Sequence, residues 1–539
     1  MLKVVCVVDK TGTALDRLAK GVAKYHNNLD YQVLAVHPKR PDGEQLRAFE
    51  QAAKDADIID WQYYRTAELL KGMYLWLNRK KQILTHNNPY SITESNWNNY
   101  DLNVGNNQYI YKQLSSITEK PVEYIPLTVD TDFWTYNLDW AYDERVNSNN
   151  KYEFKHESPK PSVIMVANRI EGKKGILPVA IACAELDIKF RLVGNISDMN
   201  YFQAIMATGP VEFHENISDE ELRDLYYKST IHVCNSQDNF ESGTLPILEA
   251  MLCGVPVLTR EVGHVPELYN GENMEILKGV PEDVLGIQSK LQEMLADKKK
   301  LSEMRDKAWN SAKVRSFERR AYLYQKLYRK VLFPDAKTVS VVVPIYDKPE
   351  VIRKCLNAIA EQTYKNIEIV VADDADIKNY ETILDFSKYV NIPVRYIETG
   401  EGDYGLARAR NEATIESTGE IIVYCDQRIV MEPNCIEEFM QYLKPKVWLY
   451  GDKGGKKEFV ENLSCVYRED VINAGMFCER ITQYGGLSQE TRVRIRAQGM
   501  KTEYVPTAKA IASKSSNRNT KRQDIIKSKN RLFKMYEAN

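Results

Sequence analysis

Residues 239–257 read Asn239-Phe240-Glu241-Ser242-Gly243-Thr244-Leu245-Pro246-Ile247-Leu248-Glu249-Ala250-Met251-Leu252-Cys253-Gly254-Val255-Pro256-Val257. A carboxylate precedes a glycine turn, and an apolar run follows. Pro246 falls near the first turn of the helix this pattern predicts, where its missing N–H costs little. Gly254 ends the helix, and Val255–Leu258 is the next strand. The N–H groups of Gly243, Thr244 and Leu245 would face an anion, which the helix dipole also favours. Glu249, about one turn inside, is within reach of ribose hydroxyls. Glu241, in the loop before, is within reach of a sugar. As an isolated pair, the two acids would sooner be read as solvated residues at a helix start.

The same strand–turn–helix grammar extends in both directions. Lys3–Val8 reads as a strand, Thr11-Gly12-Thr13 as a turn, and Ala14–Tyr25 as a helix. Tyr31–Val36, Ile58-Ile59, Gln82–Thr85 and Val122–Pro126 are further strands. The Asn-rich, aromatic stretch from His86 to Gln108 interrupts them and reads as loop or substrate-facing surface. Residues 136–160 are polar and irregular, a candidate hinge. Val163–Ala167, Lys189–Val193, Val211–Phe213 and Ile231–Cys234 resume the alternation, and Pro281 to Leu332 reads as helical. Val339–Pro344 and Ile367–Ala372 open a third unit, with a helix Glu350–Gln362 between them. Alternating strands and helices imply an α/β chain of parallel, doubly wound sheets. The expected domains are 1–135, 161–335 and 337–539.

Composition narrows the function. The chain has 539 residues, 43% hydrophobic and 27% charged, as soluble folded chains do. Lys+Arg (73) and Asp+Glu (75) nearly cancel to a net charge of -2, so no whole-chain basic field grips nucleic acid. No apolar run reaches the roughly 18 residues of a spanning helix. The first strand is too short for a signal peptide. Nine scattered Cys without a C-x-x-C point to a reducing compartment with no zinc knuckle. The expected location is therefore cytoplasmic. The seven His all precede residue 265, so chemistry beyond that point runs without imidazole.

With its surroundings, the 239–257 segment resembles the family 4 glycosyltransferases of GT-B fold. They carry two glutamates separated by seven residues, then A-M-x-x-G-x-P-V; here these are Glu241, Glu249, Ala250-Met251, Gly254 and Pro256-Val257. Ala167-Asn168-Arg169-Ile170 with Lys173-Lys174-Gly175 is similar to the segment whose Arg and Lys hold the donor diphosphate. Val129-Asp130-Thr131-Asp132-Phe133 is similar to the link between the halves. The N-terminal half matches weakly, its glycine loop carrying only Gly12. The resemblance implies a nucleotide-sugar donor, a UDP-sugar first, and retention of configuration without a metal. Arg169, Lys174 and the helix N-terminus would meet the charge of the departing diphosphate. His86, beside Asn87-Asn88-Pro89, would line the acceptor side or serve packing alone.

In the third unit, Val339–Tyr346, Asp373-Asp374, Ala409-Arg410-Asn411 and Asp426-Gln427-Arg428 resemble the family 2 glycosyltransferases of GT-A fold, which invert configuration. Asp373 or Asp374 would read the base, and Asp426 would face the ribose or a Mg2+ or Mn2+ ion. Arg428 stands where the family has its second metal-binding Asp, and a guanidinium has no lone pair for a cation. It would replace the cation electrostatically, or mark a domain that has lost catalysis. Glu490 is the expected base, or a surface glutamate of the helix running to Gly499.

The sequence thus implies a fused glycosyltransferase with room for two successive transfers to a growing glycan or lipid-linked acceptor. Two alternatives stand beside it: transfer to a modified base of phage DNA, and a GT-A unit that only binds glycan. The basic tail Lys514–Lys534 would meet a membrane surface at its inner face, or DNA, or be a solvated helix face.

Overall fold

The computed structural model describes residues 2–26, 29–135, 160–237, 243–346, 349–400, 405–454, 457–482 and 485–512. The hinge proposed at 136–160, apart from Lys160, and the basic tail lie outside them, as does Glu241. Backbone packing separates two compact units. One comprises residues 3–25 and 31–321; the other is built on residues from 322 onward, with short segments at 1–2 and 26–30.

The first unit holds two sheets. Strands β1 (Lys3–Val8), β2 (Asp30–Ala35), β3 (Ile58–Trp61), β4 (Lys81–His86), β5 (Leu102–Gly105) and β6 (Val122–Tyr124) lie in the order β2-β1-β3-β4-β5-β6. The pairs from β1–β3 to β5–β6 are parallel. The second sheet has β7 (Ser162–Ile170), β8 (Lys189–Ile196), β9 (Val211–His214), β10 (Ile231–Cys234), β11 (Val257–Thr259) and β12 (Glu275–Ile276), all parallel, in the order β12-β11-β10-β7-β8-β9. Read from β9, this is the doubly wound order 3-2-1-4-5-6, which reverses between β7 and β10 and opens a crevice at their carboxyl ends.

The second unit has one mixed sheet. Its strands are β13 (Val339–Ile345), β14 (Ile367–Asp373), β15 (Val394–Glu398), β16 (Ile421–Cys425), β17 (Ile429–Met431), β18 (Val447–Asp452), β19 (Leu463–Tyr467) and β20 (Lys501–Ala512), ordered β15-β14-β13-β16-β19-β18-β20-β17. β13 to β16 pair in parallel, and β19 joins β16 antiparallel. Every residue of β13 and β14 is buried, as expected of parallel strands covered on both faces. The α/β class and the parallel sheets are those the alternation implied.

The stretch from His86 to Gln108 departs from the loop expected there. It contains a helix Tyr90–Glu94, a 3-10 turn Trp97–Asn99 and the fully buried strand β5. Asn103 hid that strand. Its polar side chain is buried because Oδ1 meets His86 Nε2 at 3.0 Å and Nδ2 donates to the Trp97 carbonyl at 3.0 Å. Among the described residues, no helix is long and apolar enough to cross a membrane.

Candidate functional site

In the first unit the crevice between β7 and β10 collects most of the predicted donor residues. Arg169 follows a register shift between Ala167 and Arg169, at the end of β7. Its side chain is 65% exposed, with Nε 3.8 Å from Glu171 Oε1. Gly194 on β8 allows this bend, since a Cβ there would lie 1.9 Å from the Ala167 carbonyl oxygen. Lys174 ends the 3-10 turn Gly172–Lys174, and Gly175 follows at φ 60. Buried Asn235, just after β10, donates to the carbonyls of Gly175 (2.9 Å) and Pro281 (2.8 Å) and accepts from Arg260 Nε (2.7 Å). Gln237 N donates to the Lys173 carbonyl at 2.9 Å. The lysine turn is thereby fastened to the loop that leads into the next helix.

That helix is Leu245–Leu252, with Pro246 in its first turn and no side-chain cap at Thr244. Gly243 packs so tightly that an added Cβ would sit 1.8 Å from Leu127 Cδ1 and 2.8 Å from His264 Nδ1. Glu249 is half-buried and accepts from Tyr226 Oη at 3.3 Å. Burial, and the nearby charge of Asp219, push its carboxyl up to about 7. Gly12 takes φ +80 in the turn after β1, and its N–H donates to Asp16 Oδ2 at 2.8 Å. Arg17, on the following helix Ala14–Ala23, pairs with Asp219 at 2.8 Å.

His86 is not on an open surface. It is fully buried at the end of β4, Nδ1 within 2.9 Å of Ser91 Oγ and Nε2 bonded to Asn103, and burial lowers its pKa to about 4. Both nitrogens are used in packing, so the acceptor-facing role does not match its placement.

In the second unit one helix, Leu406–Glu416, organises the acids at the strand ends. Arg408 Nη2 donates to Asp374 at 3.0 Å, and Gly405 N donates to its other oxygen at 2.7 Å. Arg410, fully buried, donates to Asp426 Oδ1 at 2.7 Å and to Glu461 Oε1 at 2.5 Å. Asp373 is 0% exposed and accepts from Ala375 N (3.0 Å), Asn379 N (2.6 Å) and Tyr396 Oη (2.8 Å), which commits it to the turn rather than to a base. Arg428 is half-exposed in the turn that closes with Ile429 N on the Asp426 carbonyl at 2.8 Å.

The residues around Asp426 do not fit a divalent cation. Its Oδ1 already receives a guanidinium, Arg428 replaces the second acid, and buried Glu461 shares the same guanidinium. Among the described residues, no group of three or more His, Cys, Asp or Glu could hold a metal. Glu490, expected as the base, is 5% exposed; Arg494 Nε donates to its Oε1 at 2.7 Å and Nη2 to its Oε2 at 3.3 Å. Arg260 and Glu461 carry no motif, and the roles of Tyr226 and Asn235 were not read from the segments that hold them. They support the sites through contacts distant in sequence, which no local pattern announces.

Two family models match the chain: "Glycosyl transferases group 1" over residues 148–311 and "Glycosyl transferase family 2" over 340–447. Among curated relatives, glycosyltransferase GlyG of Streptococcus pneumoniae is 33% identical over 111 residues, 21% of this chain and 36% of that protein. Glycosyltransferase GlyA of the same organism is 35% identical over 100 residues, 18% of this chain and 14% of that protein. The chain thus spans 36% or less of the length of these relatives. A solved structure of Anabaena HepE with UDP and glucose aligns with TM-score 0.49 at 14% identity, covering 61% of this chain and 99% of that one. Sucrose-phosphate synthase from Thermosynechococcus elongatus aligns with TM-score 0.48 at 16% identity, covering 62% of this chain and 100% of that one.

Proposed function

We propose that this chain, which carries a group 1 glycosyltransferase segment followed by a family 2 segment, moves sugars from nucleotide donors to a glycan or lipid-linked acceptor in two successive transfers. The carrying observation is convergence. The Arg169–Lys174 turn after β7 is tied through Asn235 and Gln237 to the chain that leaves β10, at the point where the strand order reverses. That is where a doubly wound sheet binds ligands.

In the first transfer, domains 1–135 and 161–335 present acceptor and donor. Arg169, Lys174 and the amides at Gly243–Leu245 meet the charge that grows on the leaving diphosphate, Glu249 takes the ribose, and Glu241 orients the sugar. A UDP-sugar is the first donor to test, and the transfer retains configuration. In the second transfer, domain 337–539 inverts configuration. Arg428 supplies positive charge at the diphosphate without a cation.

The competing reading makes the second unit a glycan-binding module, and the pairing of Asp426 with Arg410 favours it. The deciding experiment follows nucleotide release and product mass across a panel of UDP- and GDP-sugars. Wild type should add two sugars, and the Arg169→Ala/Lys174→Ala variant should lose one transfer. A chain that releases no nucleotide from any donor would sink the enzymatic reading.

A further inference from the structure

A carboxylate that deprotonates an incoming hydroxyl must approach it to about 3 Å, so it must be open to the acceptor. Glu490 does not meet that condition. Both its oxygens face Arg494, whose guanidinium also donates to the carbonyls of Ala474 and Met476. Arg494 fastens the helix Leu487–Ala497 to the turn at 474–476, and Glu490, one turn earlier on the same helix, orients that guanidinium, so the pair is a packing device.

Glu479 lies just beyond that turn and is exposed. Its Oε1 accepts from Asn411 Nδ2 at 2.7 Å. Asn411 is 4% exposed, donates to the Phe477 carbonyl at 2.9 Å and accepts from Phe477 N at 2.8 Å. Three bonds from one buried amide thus set the 477–479 segment and hold the carboxylate. Asn411 belongs to the helix whose Arg408 and Arg410 hold Asp374 and Asp426 at the ends of β14 and β16. One helix therefore positions four carboxylates, Asp374, Asp426, Glu461 and Glu479. Asp374 is 5% exposed and Asp426 is charge-paired; Glu479 stands open to solvent and is held by a neutral donor. A neutral amide orients a carboxylate without the guanidinium charge that would make it a weaker base.

We propose that Glu479 is the general base of the second unit, an assignment that rests on reading that unit as a transferase. The acceptor O–H proton passes to the Glu479 carboxylate as the acceptor oxygen bonds to the anomeric carbon. The bond from that carbon to the diphosphate oxygen breaks, and the nucleoside diphosphate leaves with the electron pair.

The test uses the full chain with Arg169→Ala/Lys174→Ala silencing the first transfer and the purified one-sugar product supplied as acceptor. UDP-glucose, UDP-galactose, UDP-N-acetylglucosamine and GDP-mannose serve as donors. Glu479→Gln should cut nucleotide release at least 100-fold while UDP affinity by calorimetry stays within twofold, and Glu479→Asp should recover part of the rate. Release within threefold of the parent in Glu479→Gln would overturn the assignment alone. Loss of UDP affinity along with turnover would make Glu479 a donor ligand and also overturn it. A parent that binds UDP and turns over no donor would sink the enzyme reading of the unit, and the base with it.

Discussion

Glu249 carries the most testable single charge of the first unit, because burial and Asp219 push its carboxyl from 4.5 up to about 7. Below pH 4.5 folded and unfolded chains both hold this proton, and the group adds its full favourable share to stability. Between about 4.5 and 7 the unfolded chain releases the proton first, so stability falls as pH rises, and above 7 the share is gone. The span amounts to at most about 3 kcal/mol, reduced by solvent screening at a half-buried group. Melting curves of Glu249→Gln should therefore be flatter than wild type from pH 5 to 8, with the variant the more stable at pH 8. Donor binding should run the other way. Ionised Glu249 accepts ribose hydroxyls better, so UDP affinity should rise between pH 6 and 8 in wild type and not in the variant. Lys174→Ala and Glu241→Ala should each lower the first transfer at least tenfold, ~1.4 kcal/mol, with melting temperature nearly unchanged. Wild-type turnover in either would remove that residue from the donor site.

At the scale of elements, two short devices carry the sites. The lysine turn depends on Gly175 at φ 60, where a Cβ would meet the Asn235 carbonyl oxygen at 2.3 Å. Gly175→Ala should therefore act like Lys174→Ala on turnover while also lowering stability, which a thermal melt would separate from the pure charge effect. The helix Leu406–Glu416 is the second device. Arg410→Ala would leave Glu461 buried and unpaired, at a cost of about 3–5 kcal/mol. A melting temperature within a degree of wild type would contradict that pairing. Strands rich in Val and Ile, such as β13 and β14, were legible from their side chains alone. Strand β5 was not, because Asn103 becomes a strand residue only when His86 and the Trp97 carbonyl satisfy its amide.

For the whole molecule, two transfers on one chain predict complementation. The Lys174→Ala and Glu479→Gln chains, each defective in one step, should together restore the two-sugar product when mixed, provided the one-sugar intermediate is released. A mixture that yields no more product than its parts would favour a single active site. On the proposed reading the first transfer should also survive EDTA, since side-chain cations and backbone N–H groups would supply the positive charge at its diphosphate; activity restored only by manganese would contradict this. The sequence alone determined the alternation of strands and helices that builds three sheets, the placing of Arg169, Lys174, Gly243 and Glu249 at strand ends and in helix first turns, and the acids at the ends of β14 and β16. It could do so because hydrophobic period, glycine turns and helix-start chemistry are local properties of the chain. Only the tertiary structure decided which polar groups are spent on packing. His86, Asp373 and Glu490 read as site residues, yet each is buried and held by partners. The exposed acid is Glu479, and its partner Asn411 lies 68 residues away in the chain. Whether a carboxylate faces a guanidinium, an amide or water depends on such long-range contacts, and no local pattern encodes them.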